Sequence, residues 1–482
     1  MTKSILVATI GTRDLMFQIS SGDWYNIGDD RMKSDILTEQ LEVVSDLALD
    51  AECSYRNLTQ YLWDNIDYFS GKVKPVIIGK LLLAQLHNLE TIYLVVTAQQ
   101  ETVREREKDT LYAGNLIKYW LYQLNPDLPV HILYIGEDGT NPSNFEQMFQ
   151  WWQKVWKIDI QPQANQPILL CIKGGVGQAS EAARVSGLSS YGNNIQFFDF
   201  SSIPGTNQKG VSADYTGPFL GTNYLWDRTQ QQVLKLLERY DYAEVLEILD
   251  PYFKQNTKAW SHIPSLVKAG VEWNQGQFKK FFQLAQSAFN EEQKQRSKQY
   301  WWMAYEQAYL AMVRLHQKNT TEAMLHSFRA IEGLLFEWVK DEFSPHIEKS
   351  QSRYILKTSI LNVHPELKNW VDPTRDMKLE RWIQVKLLEL DILSKNPCPD
   401  FEAWSKASEE RNRLSHQLGG IDEKDLFKAW GADIKNREQF DKRLVNCINL
   451  ISGKNLTSLQ KASLFACVHE KVKRAIEHYS II

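Results

Sequence analysis

The sequence predicts an α/β first half built on a mostly parallel sheet, followed by an all-α second half. Up to about residue 225, short apolar runs rich in β-branched residues alternate with amphipathic stretches. These runs are almost continuously hydrophobic, as strands covered by helices on both faces of a sheet must be. Beyond residue 225 apolar residues recur at three- and four-residue steps, and no strand-like alternation of useful length returns. The two halves therefore differ in class.

The elements of the first half follow from these runs in order. The expected strands are residues 4–8, 91–97, 130–135, 168–172 and 195–198. Helices are expected over residues 105–124 and 143–155, and directly after Gly177. Residues 205–221 are rich in Gly, Ser, Asn and Thr and mark a loop-rich exit from the α/β part.

The chain is too long for one hydrophobic core, so it must divide into domains. We predict an α/β domain over residues 1–225, an all-α connector over 226–295 and a terminal all-α domain over 296–482. In the connector, residues 230–249 have helical periodicity, and Pro251 then interrupts the pattern. The charged run at 290–298 is interpreted as a solvated helix face.

Composition excludes several classes of protein. The sequence has no run of about 18 apolar residues that would indicate a membrane span. The short apolar stretch at its start fits a buried strand better than a signal peptide. A soluble cytoplasmic protein is therefore expected. Five scattered cysteines indicate neither a disulfide framework nor a zinc site. A net charge of −4 argues against a general basic coat for nucleic acid. The sixteen tryptophans are expected in cores or interfaces.

Two glycine turns stand at predicted strand ends. The first strand runs into Gly11 and Thr12, and a later strand runs into Lys173, Gly174 and Gly175 before a helix. The carboxyl edge of a parallel sheet is where open α/β folds bind ligands, because glycines admit a ligand to the backbone and helix N-termini attract anions. The alternative is that the glycines only make tight strand-to-helix turns.

Polar residues beside these turns complete a candidate ligand site. Thr12, Gln178 and Ser180 offer hydrogen bonds, and Thr97 and Gln99 form a possible second wall. Neither a phosphate-binding GxxxxGK[ST] loop nor a dinucleotide fingerprint accompanies them, so ATP hydrolysis and NAD binding are poorly supported. The candidate ligand-binding residues are Gly11, Thr12, Arg13, Thr97, Gln99, Lys173, Gly174, Gly175, Gln178 and Ser180.

Arg411 and His416 lie five positions apart in a predicted helical region, within SEERNRLSHQLGG. Cleavage of RNA by transesterification needs a group that titrates near neutrality and a fixed cation for the phosphorane charge, and His and Arg suit these tasks. No HxH or HExxH motif or acidic cluster accompanies the pair, which favours metal-independent chemistry. In the alternative interpretation, Arg411 pairs with a neighbouring glutamate and His416 caps the helix before Gly419.

The sequence here resembles a known family. Arg411, Asn412 and His416 in RNRLSH match the R-N-x-x-x-H form of the HEPN ribonuclease motif, and NTTEAMLHSFRAIEGLLFEW, with Arg329 and Glu332, resembles the leading helix of HEPN domains. The two glycine turns look like the ligand loops of CARF domains. Together they resemble the CRISPR-associated type III accessory ribonucleases, in which a Rossmann-like CARF domain precedes an all-α HEPN domain. The resemblance covers essentially the whole chain.

The resemblance implies an activity, a ligand and an assembly. In this family a symmetric CARF homodimer binds cyclic oligoadenylate, and two HEPN domains form a composite site for cutting single-stranded RNA. Arg411 and His416 would come from each protomer, with Asn412 orienting them, leaving 2′,3′-cyclic phosphate and 5′-OH ends. No metal or cofactor is implied besides the activator. The connector is expected to transmit the effect of ligand binding from the CARF domain to the HEPN domain.

Some questions stay open at this stage. The turn reads GGVGQAS where many family members have threonine after the glycine pair, so the activator is either cyclic tetra-adenylate or cyclic hexa-adenylate. One alternative function is a non-catalytic nucleotide-sensing regulator. Another is a ring nuclease acting mainly in the CARF domain, with Thr12 and Lys173 holding the phosphate.

Overall fold

The computed structural model describes residues 2–28, 36–201, 209–351, 353–407, 412–414 and 419–480. The chain forms two compact units, Met1–Asp227 and Arg228–Ile482. The proposed boundary between connector and terminal domain, near residue 295, falls inside the second unit and stays a prediction.

The first unit is built on a six-stranded sheet. The strands of the whole unit are β1 (Ser4–Thr9), β2 (Leu15–Gln18), β3 (Trp24–Asn26), β4 (Val73–Pro75), β5 (Leu89–Thr97), β6 (Val130–Ile135), β7 (Ile168–Cys171), β8 (Ile195–Ser201) and β9 (Asp214–Leu220). The main sheet has the order β6-β5-β1-β7-β8-β9, in which all neighbours are parallel except β8 and β9. The predicted parallel-dominated α/β fold is confirmed.

Both faces of this sheet are buried. In β1, Leu6 and Ala8 point into one hydrophobic core, whereas Ile5 and Val7 point into the other. Successive side chains of a strand alternate between faces, so an uninterrupted apolar run needs a core on each side. Helices on both faces provide these cores: α1 (Ile36–Asp46), α2 (Tyr55–Asp64), α3 (Gly79–Gln85), α4 (Leu111–Leu124), α5 (Phe145–Val155) and α6 (Gly177–Tyr191).

One predicted helix is shorter than the sequence indicated. The periodicity predicted a helix from residue 105, but α4 begins at Leu111 after a short 3₁₀ turn, Arg104–Lys108. The cause is Asp109, which is fully buried and accepts hydrogen bonds from the Gln99 backbone N–H (2.7 Å) and the Arg56 guanidinium (2.8 Å). These long-range bonds hold the backbone at Asp109 extended, so the helix cannot continue towards its N-terminus.

The chain between β1 and β5 contains a feature that the sequence did not predict. A small antiparallel sheet of order β3-β2-β4 is inserted there. Its strands have only three or four residues, too few for a period of two to be recognised. The antiparallel edge strand β9 was also missed.

The second unit is predominantly helical, as predicted. Its helices, the first of which begins before the boundary, are α7 (Gly221–Glu238), α8 (Tyr242–Gln255), α9 (Thr257–Trp260), α10 (Ile263–Asn274), α11 (Phe278–Ala285), α12 (Glu291–Arg296), α13 (Trp302–His316), α14 (Thr320–Glu342), α15 (Arg381–Leu388), α16 (Pro399–Lys406), α17 (Glu423–Trp430), α18 (Arg437–Ser452), α19 (Leu459–Ala462) and α20 (Leu464–His478). A three-stranded antiparallel sheet lies between α14 and α15: β10 (Ile347–Ser350), β11 (Arg353–Leu356) and β12 (Met377–Lys378). The expectation that no strand returns is therefore wrong for this short insertion.

The first helical segment of the connector is also divided differently from the prediction. The pattern at 230–249 suggested one helix ended by Pro251, but α7 stops at Glu238 and α8 runs through Pro251 to Gln255. The break is at Tyr240, which has a left-handed backbone (φ 58°) and a carbonyl that accepts a hydrogen bond from Asn274 (2.6 Å). The ring of Tyr240 stacks on His469, with centroids 4.5 Å apart. Tertiary contacts thus place the turn.

A buried carboxylate joins the helices of the second unit. Glu306 on α13 is 1% exposed and accepts hydrogen bonds from Trp273 Nε1 (2.9 Å), Ser463 Oγ (2.6 Å) and the Leu464 N–H (2.6 Å). Burial raises the pKa of Glu306, and these donors oppose the rise. The set of partners fixes α10, α13 and α20 together, because a buried charge requires its hydrogen bonds.

Within the described ranges, no helix is both long and apolar enough to cross a membrane.

Candidate functional site

A pocket of about 490 Å³ opens at the carboxyl ends of β1, β5 and β7 in the first unit. The chain passes from β1 to β5 and β6 on one side, and then crosses to β7 and β8 on the other. Strand order thus reverses between β1 and β7, and such a switch point is the usual ligand crevice of an open α/β sheet. The pocket is lined by Ile10, Gly11, Thr12, Arg13, Asp14, Asn26, Val76, Ile77, Thr97, Lys108, Thr110, Lys173, Gly174, Gly175, Val176, Gly177, Phe200 and Ala213.

The two glycine turns are packed against each other at the base of this pocket. A Cβ on Gly11 would lie 2.5 Å from the backbone nitrogen of Gly175, and one on Gly174 would lie 2.6 Å from the carbonyl oxygen of Thr9. The Thr9 hydroxyl donates a hydrogen bond of 2.5 Å to the Gly174 carbonyl, across 165 residues of sequence. Gly175 has φ +87°, a conformation that favours glycine. Both turns therefore need glycine for packing, and Gly11, Gly174 and Gly175 all line the pocket.

Asp14 is a buried acid beneath the turns. It is 1% exposed, and its Oδ2 accepts a hydrogen bond of 2.6 Å from the Gly11 N–H. Its other oxygen, Oδ1, has no hydrogen-bond partner among the described residues. Burial raises the pKa of Asp14 to about 7, against the opposing effects of the Gly11 N–H and the Arg13 charge. The floor of the pocket thus contains a carboxyl group that changes charge near neutrality.

This burial predicts a pH-dependent stability. Because folding raises the pKa of Asp14, the folded chain keeps a proton that the unfolded chain releases above about pH 4. The contribution of Asp14 to the stability of the folded chain is therefore greatest at low pH, and it is lost as pH rises to about 7. Asp14→Asn removes the titration. We expect native stability to fall relative to this variant by up to about 3 kcal/mol between pH 5 and pH 8, measured by thermal unfolding of the full chain.

Asp199→Asn is the matched control for this measurement, since Asp199 is a carboxylate at the same sheet edge whose side chain is 70% exposed. Replacing Asp199 should leave the difference in stability between pH 5 and pH 8 as it is in the native chain. An Asp14→Asn variant with the native pH profile would contradict the assignment.

Cationic side chains and a helix start give the pocket an anion-attracting character. Arg13, Lys108 and Lys173 all line it. Lys173 is 54% exposed, and its Nζ lies 3.7 Å from Asp199 Oδ1, a separation too long for a strong pair at such exposure. Helix α6 begins at Gly177 without a side-chain cap, so its N-terminal N–H groups and dipole face the same region.

The structure brings most of the predicted ligand residues together. Seven of them line the pocket: Gly11, Thr12, Arg13, Thr97, Lys173, Gly174 and Gly175. Three others lie outside the lining. Ser180 donates from its hydroxyl to the Gly174 carbonyl (3.3 Å), Gln99 donates from its side-chain amide to Asp109 Oδ1 (3.1 Å), and Gln178 is exposed at the start of α6. Ser180 and Gln99 therefore support the walls.

Sequence reasoning missed several residues of the pocket. Asn26 comes from the inserted antiparallel sheet, and its side-chain amide donates to the Arg13 carbonyl (3.3 Å). Thr110 exchanges hydrogen bonds with Thr97: each hydroxyl accepts from the other's backbone N–H, at 3.0 and 3.1 Å. Asp14 could have been found, because a carboxylate two residues after a Gly-Thr turn at a strand end is a local signal. No local signal identifies Asn26.

The predicted catalytic motif lies in the second unit. Arg411 and His416 are outside the described residues, whereas residues 412–414 form a helical turn in which Asn412 is exposed and Leu414 is buried. In the leading helix, α14, Arg329 is exposed and Glu332 lies 3.4 Å from Arg381. The described ranges contain no group of three or more His, Cys, Asp or Glu side chains placed to hold a metal ion.

Comparison with known proteins identifies the fold. No family model and no curated protein matches the sequence. A solved structure, Enterococcus italicus Csm6 bound to cyclic hexa-2'-fluoro-hexa-dAMP, matches over 98% of this chain and 100% of its own, with a TM-score of 0.56 and 12% sequence identity. This chain has the Csm6 fold. The match to Csm6 spans both units, so the predicted succession of a CARF-like α/β unit and a helical unit is confirmed.

Proposed function

We propose that this chain is an endoribonuclease of type III CRISPR antiviral defence, acting in the cytoplasm and switched on by a cyclic oligoadenylate. The observation that carries the proposal is the pocket at the switch point, where interlocked glycine turns, the start of α6 and cationic side chains meet. A helix N-terminus and cationic side chains suit phosphates. The Csm6 likeness supports a cyclic nucleotide ligand, since that protein was solved with one.

The size of the pocket supports a ligand shared between two protomers. Cavities of roughly 300–1000 Å³ suffice to bury a drug-sized molecule, and this pocket lies within that range at about 490 Å³. A ring of four or six nucleotides is much larger than such a molecule. Part of the ring therefore projects beyond one pocket, and in the proposed homodimer the equivalent pocket of the second copy takes that part.

The proposed chemistry resides in the second unit. His416 manages the proton of the attacking 2′-OH or of the leaving 5′-oxygen, and Arg411 stabilises the phosphorane charge. Asn412 orients this pair. The reaction proceeds without a metal ion and leaves a 2′,3′-cyclic phosphate and a 5′-OH, and no cofactor is needed besides the activator.

Ligand binding and catalysis are coupled through the equilibrium between two states. The ring activates the enzyme by binding the competent arrangement of the HEPN domains more tightly than the incompetent one. The connector, residues 226–295, transmits the effect of ring binding to the HEPN domain.

The test is cleavage of a fluorogenic single-stranded RNA in EDTA, with cyclic tetra-adenylate, with cyclic hexa-adenylate and with neither ring. We expect cleavage to depend on one of the rings and to be insensitive to EDTA. Binding of a ring without RNA cleavage would overturn the proposal in favour of a non-catalytic regulator. Degradation of the ring without RNA cleavage would favour a ring nuclease.

A further inference from the structure

The two exposed tryptophans of this protein lie close together in sequence. All sixteen tryptophans belong to the described ranges, and of these only Trp370 and Trp382 count as exposed, at 47% each. Both lie in the segment that contains the small sheet β10–β12 and the start of α15. The tryptophans were expected in cores or interfaces, and these two lie outside the cores of the chain, so exposing two large indole rings to water requires an explanation.

These two rings flank one lysine. Trp382 and Lys386 are four residues apart on α15, so they share a face of that helix. The Lys386 ammonium lies 4.6 Å from the centroid of the Trp370 ring, and it also donates to Glu389 Oε2 (2.6 Å). The pairing with Glu389 holds the ammonium beside the ring. Lys386 therefore lies beside the Trp370 ring and on the same face of α15 as Trp382.

The neighbouring sheet supplies basic side chains that face water. In the antiparallel register Ile355 is opposite Lys378 and Glu348, which places Arg353, Lys378 and Glu348 on one face; Glu348 pairs with Lys357 (3.0 Å). The opposite face carries Leu356, which is fully buried. Arg353 and Lys378 are exposed, and neither has an acidic side chain within 4.0 Å in the described parts of the chain.

The local charge differs in sign from that of the whole protein. Between residues 346 and 386 there are eight Lys and Arg against five Asp and Glu, a net charge of +3. Glu332 and Glu389, which pair with Arg381 and Lys386 from outside this segment, reduce it to +1, whereas the chain as a whole carries −4. The basic residues of this segment are Lys349, Arg353, Lys357, Lys368, Arg375, Lys378, Arg381 and Lys386. A weakly basic segment on a negative protein is compatible with a local contact to nucleic acid, although the protein as a whole has no basic field.

We propose that this surface, formed by residues 346–351 and 353–386, binds the single-stranded RNA substrate; the proposal rests on the ribonuclease function above. Unpaired bases stack on Trp370 and Trp382, and Arg353 and Lys378 contact the phosphates. Such a surface selects single strands, because the base faces of a duplex are already stacked. It gives no hydrogen-bond readout of base identity, so the substrate preference is broad.

The test uses the full chain with the double substitution Trp370→Ala and Trp382→Ala. At saturating cyclic oligoadenylate we expect KM for a fluorogenic RNA to rise at least about 25-fold, since two stacked bases are lost and each contributes about 5- to 150-fold in affinity. The value of kcat should change less than about threefold, because the chemistry lies at Arg411 and His416. Trp370→Phe with Trp382→Phe is the matched control and should restore KM, since it keeps the aromatic faces.

A direct binding measurement separates this surface from the proposed activity. In the His416→Ala background, fluorescence anisotropy with labelled single-stranded RNA should give the same loss of affinity for the double alanine variant. Arg353→Gln with Lys378→Gln should lower the slope of log Kd against log salt by about 1.4, at roughly 0.7 per phosphate contact. RNA bound through the two tryptophans without any cleavage by the native chain would overturn the ribonuclease function and still support this surface.

Two results would overturn the RNA-binding surface. One is unchanged RNA affinity in the double alanine variant with an unchanged melting temperature. The other is dissociation of an oligomer by the same substitutions, detected by light scattering, which would assign the tryptophans to a contact between copies of the chain.

Discussion

Gly174→Ala is expected to abolish the binding of cyclic oligoadenylate, with a loss of at least about 100-fold in affinity. A Cβ at this position would lie 2.1 Å from Asp14 Oδ2, 2.6 Å from the Thr9 carbonyl oxygen and 2.8 Å from the Gly11 nitrogen. Two of these three atoms belong to the backbone, so no rotation of a side chain relieves the overlap. The two ligand turns must move apart, and the part of the pocket lining that they form changes shape.

The measurement is titration calorimetry of the full chain with each ring. Gly333→Ala is the control, because a Cβ there has no atom within 4 Å, alanine suits the interior of α14, and Gly333 lies in the other compact unit. We expect the control to bind within about threefold of the native chain. Melting temperatures of both variants show whether Gly174→Ala acts on the turn or on the whole unit. Native affinity in a folded Gly174→Ala variant would disprove a ligand site at these turns.

His416→Ala is expected to reduce RNA cleavage by about 10²- to 10⁴-fold, the usual range for the loss of a general acid or base. Ring binding should be unchanged, because the candidate ligand pocket lies in the other compact unit. Cleavage is measured with the fluorogenic RNA at saturating activator, and ring affinity by calorimetry.

His262→Ala serves as the control for this loss, since His262 is an exposed histidine of the same unit that precedes α10. It should cleave RNA at the native rate. If the His416→Ala variant kept more than about a tenth of native activity, the R-N-x-x-x-H segment would not be the catalytic centre, and the structural interpretation of Arg411 and His416 would stand.

Local sequence patterns were sufficient for much of the first unit. The strand expected over 130–135 has those bounds, and the strand expected over 195–198 extends to Ser201. The helix expected over 143–155 begins at Phe145, because the Asn144 side chain caps it by accepting from the Gln147 N–H. Such elements are predictable because burial imposes a period that the residues themselves display.

The helical unit shows where local patterns mislead. The apolar periodicity of residues 230–249 continues across the break at Tyr240, because the helices on both sides of the break bury apolar residues in the core of the unit. Pro251 lies inside α8 although a proline usually ends a helix. Only the contacts of Tyr240 with Asn274 and His469 determine where the turn falls.

The sequence by itself determined the fold class, the two glycine turns and the residue types around them, because these depend on short-range periodicity and on backbone freedom at glycine. The tertiary structure alone decided which residues share the pocket. It joined Thr9 to Gly174, buried Asp14 under both turns and brought Asn26 in from an inserted sheet, while it turned Gln99 towards Asp109. The reason is that strand order along a sheet is set by non-local pairing, which no window of neighbouring residues encodes.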